Sequence, residues 1–421
     1  MRKSKQGLRI FSFCAVHFNT LLQTEKGAIF LSELQTQTHG KSLTVSILSL
    51  SLLTVMAGAA MAPALGVIQA HFSDCEQLFV QMIISVPALF IVLTSFIFPK
   101  LCKRFGAKTL VLIGLVLYTV GGCIAGVFDN IFLVLIMRAL VGVGVGIIMP
   151  LSTGLLSFYF RPEQQAGLMG YSSAMNQMGG VVATLLSGLL ANISWRASFL
   201  VYLMGLISIV LCLICLPNDR ITQEATAEEH AKSTGVFRDS FVYILAMFLL
   251  MSTFFIYPAN FALETVAEGV IPQHYIAVIM ASMDFIAFLG GLLFVRARML
   301  LGGKTKFLAP VLFLIGYLLL AVLGGWVGTL VGSVFIGFAN GAGIPYIISE
   351  ASMKAGRAAA TTVMPLISAA LYLAQFLSPV LMSIVTAIFG GIIPHLPYVF
   401  ATVLAILFVL WSSLIPTGKG K

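Results

Sequence analysis

"FPKLCKRFGAKTLVLIG", residues 98–114, gathers Lys100, Lys103, Arg104 and Lys108 into nine positions between stretches that carry almost no charge. A short basic turn between two apolar runs is how a membrane protein encodes its orientation, because Lys- and Arg-rich loops stay on the cytoplasmic side. The flanking runs, about 79–99 and 109–127, are each near the roughly 20 apolar residues needed to cross a bilayer.

The same pattern extends through the chain. Further apolar runs fall at about 43–66, 131–156, 167–191 and 197–216, then 241–262, 273–295, 307–324, 327–349, 361–388 and 396–415. The 421 residues are 59% hydrophobic and 9% charged, with a mean hydropathy of +1.03, whereas a soluble domain carries roughly a quarter charged residues. These features predict an all-α polytopic membrane protein with twelve transmembrane helices. The polar stretch 217–240 divides six runs from six of nearly equal length, as an internal duplication would. The expected organisation is an N-terminal extension over 1–42, a six-helix bundle over 43–216, a central loop over 217–240, a second bundle over 241–415 and a tail over 416–421.

Alternate loops hold the cations: 100–108, Arg161, 217–240, 296–306, and Lys354 with Arg357, while Lys419 and Lys421 lie in the tail. The loops near 67–78, 128–130, 263–272, 325–326 and 389–395 hold none. Both termini and the central loop are therefore expected in the cytoplasm, in a cell membrane of the bacterial inner-membrane type. The net charge of +9 resides in these loops and is not a nucleic-acid footprint. Residues 1–42 carry six cations and the patch "IFSFCAVHF", which is too short to span, and no function is assigned to them. Cys212-x-x-Cys215 lies in an apolar run without His or acidic neighbours and reads as packing. No metal set or cofactor is predicted, and no Gly-x-x-x-x-Gly-Lys-Ser/Thr phosphate loop occurs. Scattered histidines and few membrane carboxylates argue against an enzyme.

Several local motifs add a resemblance. Pro99 to Lys108 reads Pro-Lys-Leu-Cys-Lys-Arg-Phe-Gly-Ala-Lys, with a weaker echo in "GGLLFVRARMLLGGKTK", 290–306. The fourth run contains "RALVGVGVGIIMP", 138–150; the sixth opens with "ISWRASFLV", 193–201; the eleventh contains "LAQFLSPVL", 373–381. In this order the motifs resemble the major facilitator superfamily over about 43–415. That family's second loop motif runs Gly-x-Leu-Ala-Asp-Arg-x-Gly-Arg-Lys. Leu101, Arg104, Gly106 and Lys108 match it, whereas Pro99 replaces the first Gly and Lys103 the Asp. The fourth-run motif is similar to the Arg-x-x-x-Gly-x-Gly of drug/proton antiporters. The Gly-Pro pairs frequent in antiporter helix 5 are missing, since the fifth run has Gly179-Gly180 and no proline. The resemblance implies two pseudo-symmetric bundles, alternating access, and a gating loop formed by Lys103, Arg104, Gly106 and Lys108. The family's loop Asp helps to lock the cytoplasmic gate; Glu163 and Glu350 are the candidates to replace it.

Charge at bilayer depth costs roughly 2.5–3.5 kcal/mol on insertion scales and needs a reason. Arg138 and Asp284 lie well inside apolar runs. Asp284, about eleven residues into the eighth run, falls near the midplane, where burial disfavours the ionised carboxylate. It is the leading proton-coupling candidate, against a permanently neutralised structural acid. Arg138 shares a face with Gly142 and Gly146, which would admit a neighbouring helix. The resemblance gives it a coupling role; the alternative is a snorkelling or carbonyl-bonded Arg. Asn176, Gly180, Thr184 and Gly188 form a small and polar stripe in the fifth run, of which the glycines read as packing. Substrate-binding candidates are Asn176, Gln177, Asn260, Asn340, Tyr372 and Gln375, because amides and a phenol bond a ligand without a desolvated charge. Pro258 and Pro345 are expected kinks, Met56 and Met61 read as packing or ligand lining, and Glu264 and His274 are expected in water.

The leading functional reading is a monomeric secondary transporter that exports a small amphiphilic or drug-like solute, with protons as the coupling partner. Uptake or uniport of a neutral metabolite such as a sugar, and a non-transporting membrane sensor, are the alternatives.

Overall fold

The computed structural model describes residues 25–217, 233–323, 325–391 and 393–415. Among them, eleven continuous helical spans are long and apolar enough to cross a membrane. We number the helices α1 Lys41–His71, α2 Gln77–Arg104, α3 Ala107–Val127, α4 Ile131–Tyr159, α5 Gly167–Ala191, α6 Ala197–Cys215 and α7 Ser240–Glu268. The next span, Gln273–Val322, contains two of them, α8 Gln273–Leu301 and α9 Leu308–Val322, separated by a 3₁₀ turn at Gly302–Phe307. Gly302 enters that turn with φ +52°, a conformation that favours glycine. The series ends with α10 Gly325–Lys354, α11 Val363–Ile388 and α12 Leu396–Leu414. Twelve helices therefore match the sequence reading. The first is already helical from Glu25.

Helical hydrogen bonding runs unbroken from Gly325 to Ile388. Asn340 and Gln375 would be about 52 Å apart on a straight helix rising 1.5 Å per residue, yet both line one cavity. The chain consequently turns back between α10 and α11.

Glycines set the closest helix contacts. A methyl group on Gly142 would strike the backbone of Pro87, and one on Gly146 would meet Thr94, so α4 lies directly against α2 along the predicted Arg138–Gly142–Gly146 face. The two halves repeat their construction. Gly114 of α3 and Gly144 of α4 face each other so closely that a Cβ on either would meet the other's carbonyl, and Gly316 of α9 and Gly332 of α10 do the same. Lys108, opening α3, donates to the Leu213 carbonyl at the end of α6 (2.8 Å), and Lys306, before α9, donates to the Ile415 carbonyl after α12 (2.9 Å). Both cations sit at a helix C-terminus, where the dipole favours positive charge.

The exterior is apolar. Leu292, Val295, Ile214 and Ile136 are among many large side chains more than half exposed, as expected for a surface solvated by lipid. At the end opposite the basic loops, Arg196 is a cation that the loop pattern did not anticipate. It donates to Asp129, which also lies 3.1 Å from His71 Nε2.

Candidate substrate and proton site

A cavity of about 210 Å³ lies between the two halves, bounded by α1, α2 and α5 on one side and by α7, α8, α10 and α11 on the other. Its wall is mainly apolar, with Phe254, Phe255, Met251, Met280 and Met283 contributed by the second half. Met56 and Met61 are fully buried in the core, so the lining methionines are not those of the first helix. Pro258 of α7, one of the expected kinks, faces the cavity.

Among the described residues Asp284 is the one carboxylate lining this cavity, and no Lys, Arg or His lines it. Thr184 of α5 donates its hydroxyl to Asp284 Oδ2 at 2.9 Å, joining the halves at the acid. Gly180, one turn before Thr184, leaves α5 without a side chain beside the carboxyl: a Cβ there would be 3.8 Å from Oδ2. Part of the α5 stripe thus shapes the surroundings of the acid, and Thr184 is a site residue that sequence reasoning passed over. At Gly188 the stripe is packing alone, because a Cβ would collide with Ala277 of α8.

Of the six amide and phenol candidates, Gln177, Asn340, Tyr372 and Gln375 line this cavity. Gln375 donates to the Ile84 carbonyl of α2 at 3.2 Å, and Tyr372 reaches Met149 Sδ of α4 at 3.1 Å, so α11 bridges to the first half through both. Asn340 Oδ1 is buried without a hydrogen-bond partner, leaving an acceptor available in the wall. Such an orphan costs free energy until a donor reaches it. Asn176 turns instead to Thr54 of α1, which donates to its Oδ1. Asn260 lies elsewhere: it takes a 2.7 Å bond from Gln81 of α2 and lines a separate cavity toward the end away from the basic loops.

Arg138 has no exposure, which excludes snorkelling. Its Nε donates to the Ile83 carbonyl (2.6 Å), and its two terminal nitrogens donate to Tyr202 Oη and the Ala57 carbonyl. The guanidinium is spent on α1, α2 and α6 and does not line the cavity, although Ala57 does. Buried cations persist when fully hydrogen-bonded, and this one uses neutral oxygens.

At the basic end Lys103 and Arg104 are exposed, and Gly106 precedes α3 in extended conformation. Glu350 pairs with Arg298 at 2.6 Å, tying α10 to α8 and not to the loop after α2. The Glu163 side chain lies outside the described residues. Glu264 departs from expectation. It is 6% exposed and accepts the His395 backbone N–H at 3.1 Å, because α7 packs its last turns under the segment leading to α12. His274 is exposed, as expected.

Comparison with known proteins agrees with this architecture. The Major Facilitator Superfamily model matches residues 43–379. Multidrug resistance protein B homolog of Mycobacterium tuberculosis is 33% identical over 119 residues, 28% of this chain and 22% of that protein. Quinolone resistance protein NorA of Staphylococcus aureus is 28% identical over 116 residues, 28% of this chain and 29% of that protein. These matches span less than a third of either relative. Among solved structures, a bacterial homolog of the human lysosomal transporter Spinster, inward-facing and unoccupied, superposes with a TM-score of 0.72 at 12% identity, covering 89% of this chain and 96% of that one. The D-xylose-proton symporter gives 0.72 at 15% identity (91% and 99% covered), and the nucleoside transporter NupG 0.71 at 13% (89% and 100%). At these identities the likeness concerns the fold.

Proposed function

Since the chain belongs to the major facilitator superfamily, and is thus a multi-pass membrane transporter and not an enzyme, we propose that it exports small amphiphilic solutes in exchange for protons. The observation that carries this reading is that, among the described residues, a single carboxylate, Asp284, lies on an otherwise largely apolar wall that holds aromatic rings and methionines but no cation. A carboxylate in such a place can bind a proton or a positively charged solute, but satisfying both at once leaves a net buried charge. That competition is what exchange requires. Asn340 Oδ1 supplies a neutral acceptor for a donor on the solute. The partial similarity to proteins named for drug resistance supports the same substrate class.

Alternating access would proceed by rocking the halves about this cavity. Among the described residues the hydrogen bonds that cross between them are few, and each neutral one is worth about 0.5–1.5 kcal/mol: Thr184 to Asp284, Gln375 to Ile84, Gln81 to Asn260, Gln273 to Pro63 and Tyr372 to Met149. Arg138 acts by holding Ala57 and Ile83, whose backbones carry the α1 and α2 walls. In this reading both termini lie in the cytoplasm of a bacterial-type inner membrane, which the Lys- and Arg-rich loops, including Lys103 and Arg104, support, and the protein works as a monomer. A neutral polar solute is the second reading, favoured by the amides of Gln177, Asn340 and Gln375 in the wall.

A ligand-stabilisation screen on purified protein, followed by pH-gradient-driven movement of each hit in proteoliposomes, tests the proposal. Amphiphilic cations should raise the melting temperature and be moved against protons. Stabilisation by neutral sugars or nucleosides alone, with no proton movement, would overturn it.

A further inference from the structure

Away from the central cavity, the last two turns of α7 present Glu264 and Glu268 on one face, four residues apart. Against them lies His395, from the segment between α11 and α12. One donor atom from each of the three side chains falls within 4.8 Å of the others. The cluster sits at the end away from the basic loops, and no Lys or Arg occurs in the adjoining segments 263–272 and 389–395. Two carboxylates, one of them 6% exposed, are therefore gathered beside one imidazole.

The Nδ1 atom of the histidine ring is not used in a hydrogen bond. It is buried and has no hydrogen-bond partner, although Glu268 Oε1 is 3.4 Å away. That separation is long for a charge-assisted bond, which closes to about 2.7–2.9 Å. It matches the edge of a tetrahedron of ligands around an ion with bonds of about 2.0–2.1 Å, roughly 3.3 Å. The ring is also placed from outside the side-chain cluster: His395 takes φ +62°, the one positive value for a non-glycine among the described residues, and its N–H donates to Glu264 Oε2. Glu264 keeps a second oxygen for a ligand. A cavity of about 350 Å³ lined by Glu264, Ile393 and Leu396 adjoins the cluster and gives a path for an ion.

We propose that Glu264, Glu268 and His395 form a binding site for one divalent transition-metal ion of the zinc class, with water completing its coordination. Two carboxylate oxygens and one imidazole nitrogen suit zinc and its neighbours better than magnesium or calcium, which prefer all-oxygen shells of six or more ligands. The ion would fasten α7 to the start of α12, within the second half, and would leave Asp284 and its cavity untouched. The inference is independent of the solute proposed above.

Calorimetric titration of ZnCl₂ and MgCl₂ into the purified full-length protein tests it, in a form whose cysteines are replaced by serine so that Cys212 and Cys215 cannot compete. Zinc should bind at one ion per chain and raise the melting temperature, and magnesium should not compete at a tenfold excess. Glu264→Gln, Glu268→Gln and His395→Gln should each weaken zinc by at least about tenfold, the lower range seen when even supporting groups of a metal site are lost. Glu268 is partly exposed, so its variant tests the site without disturbing the buried acid. No stoichiometric zinc binding by the folded parent protein, or affinity unchanged in the three variants, would overturn the assignment. Equal affinity for magnesium would overturn the metal class.

Discussion

Replacing Asp284 by Asn removes one ionisable proton while keeping the shape of the side chain, and its consequence can be worked from the cavity. Among the described residues Asp284 is the one carboxylate of the lining, and the remaining polar groups there are the Tyr372 phenol, amides and hydroxyls. One coupling proton per cycle through this site allows at most about a tenfold solute gradient for each unit of pH difference, because a unit is worth about 1.36 kcal/mol. The asparagine Oδ1 can still accept the Thr184 hydroxyl, so the fold should survive and the melting temperature should change little. Proteoliposomes with an imposed gradient of about one unit should thus accumulate a screened amphiphile about tenfold with the parent protein. The variant should show no accumulation above the level without a gradient, while downhill solute exchange persists. Undiminished gradient-driven accumulation by Asp284→Asn would refute the assignment of coupling to this residue.

Other outcomes follow from particular contacts. Gly142→Ala puts a methyl group into the Pro87 backbone, so α2 and α4 must separate; a loss of about 1–3 kcal/mol is expected, read as a lower melting temperature in detergent. Arg138→Lys keeps the charge but cannot reach Ile83, Tyr202 and Ala57 together, and each charged bond lost costs about 1.5–3 kcal/mol. Thermal denaturation should place it well below the parent, and an unchanged midpoint would contradict the role given to the fork. Asp129 is held below the usual aspartate range, chiefly by the hydrogen bond from Arg196 and secondarily by that from His71. Its contribution is present above the ordinary aspartate value and lost as pH falls through the depressed one. Because His71 stacks on Trp195, acid should change the fluorescence of a form retaining only that tryptophan, and Asp129→Asn should remove the acid step. Lys103→Asp should shift the balance between inward- and outward-facing states, measured as thiol labelling at the cytoplasmic mouth.

The helices and the two-half plan were legible because the bilayer imposes a length and the loops carry the compensating charge; residues 98–114 show both. Asp284 was legible for the same reason, since a lone acid eleven residues into an apolar run has few structural explanations. Its partner was not. A threonine in a helix satisfies its hydroxyl on its own backbone as readily as on a distant acid, so nothing local distinguishes Thr184 from packing. Asn260 was read as a wall residue, but its bond to Gln81 spans 179 positions and becomes visible only when α2 and α7 are set side by side. Glu264 was misjudged by position along the helix: the end of a helix suggests water, and here the segment before α12 covers it. Depth in the membrane is a one-dimensional property that the sequence carries. Which face meets which neighbour is not.

The central claim is that the Asp284 cavity opens to each side of the membrane in turn. The direct measurement is the reactivity of a single cysteine at Ala59, which lines the cavity, in a cysteine-free protein held in oriented vesicles. A membrane-impermeant thiol reagent should label it from either side, with the favoured side changing with pH and with protection by a solute found in the stabilisation screen. Labelling from one side only, at every pH and with every solute, would contradict the account.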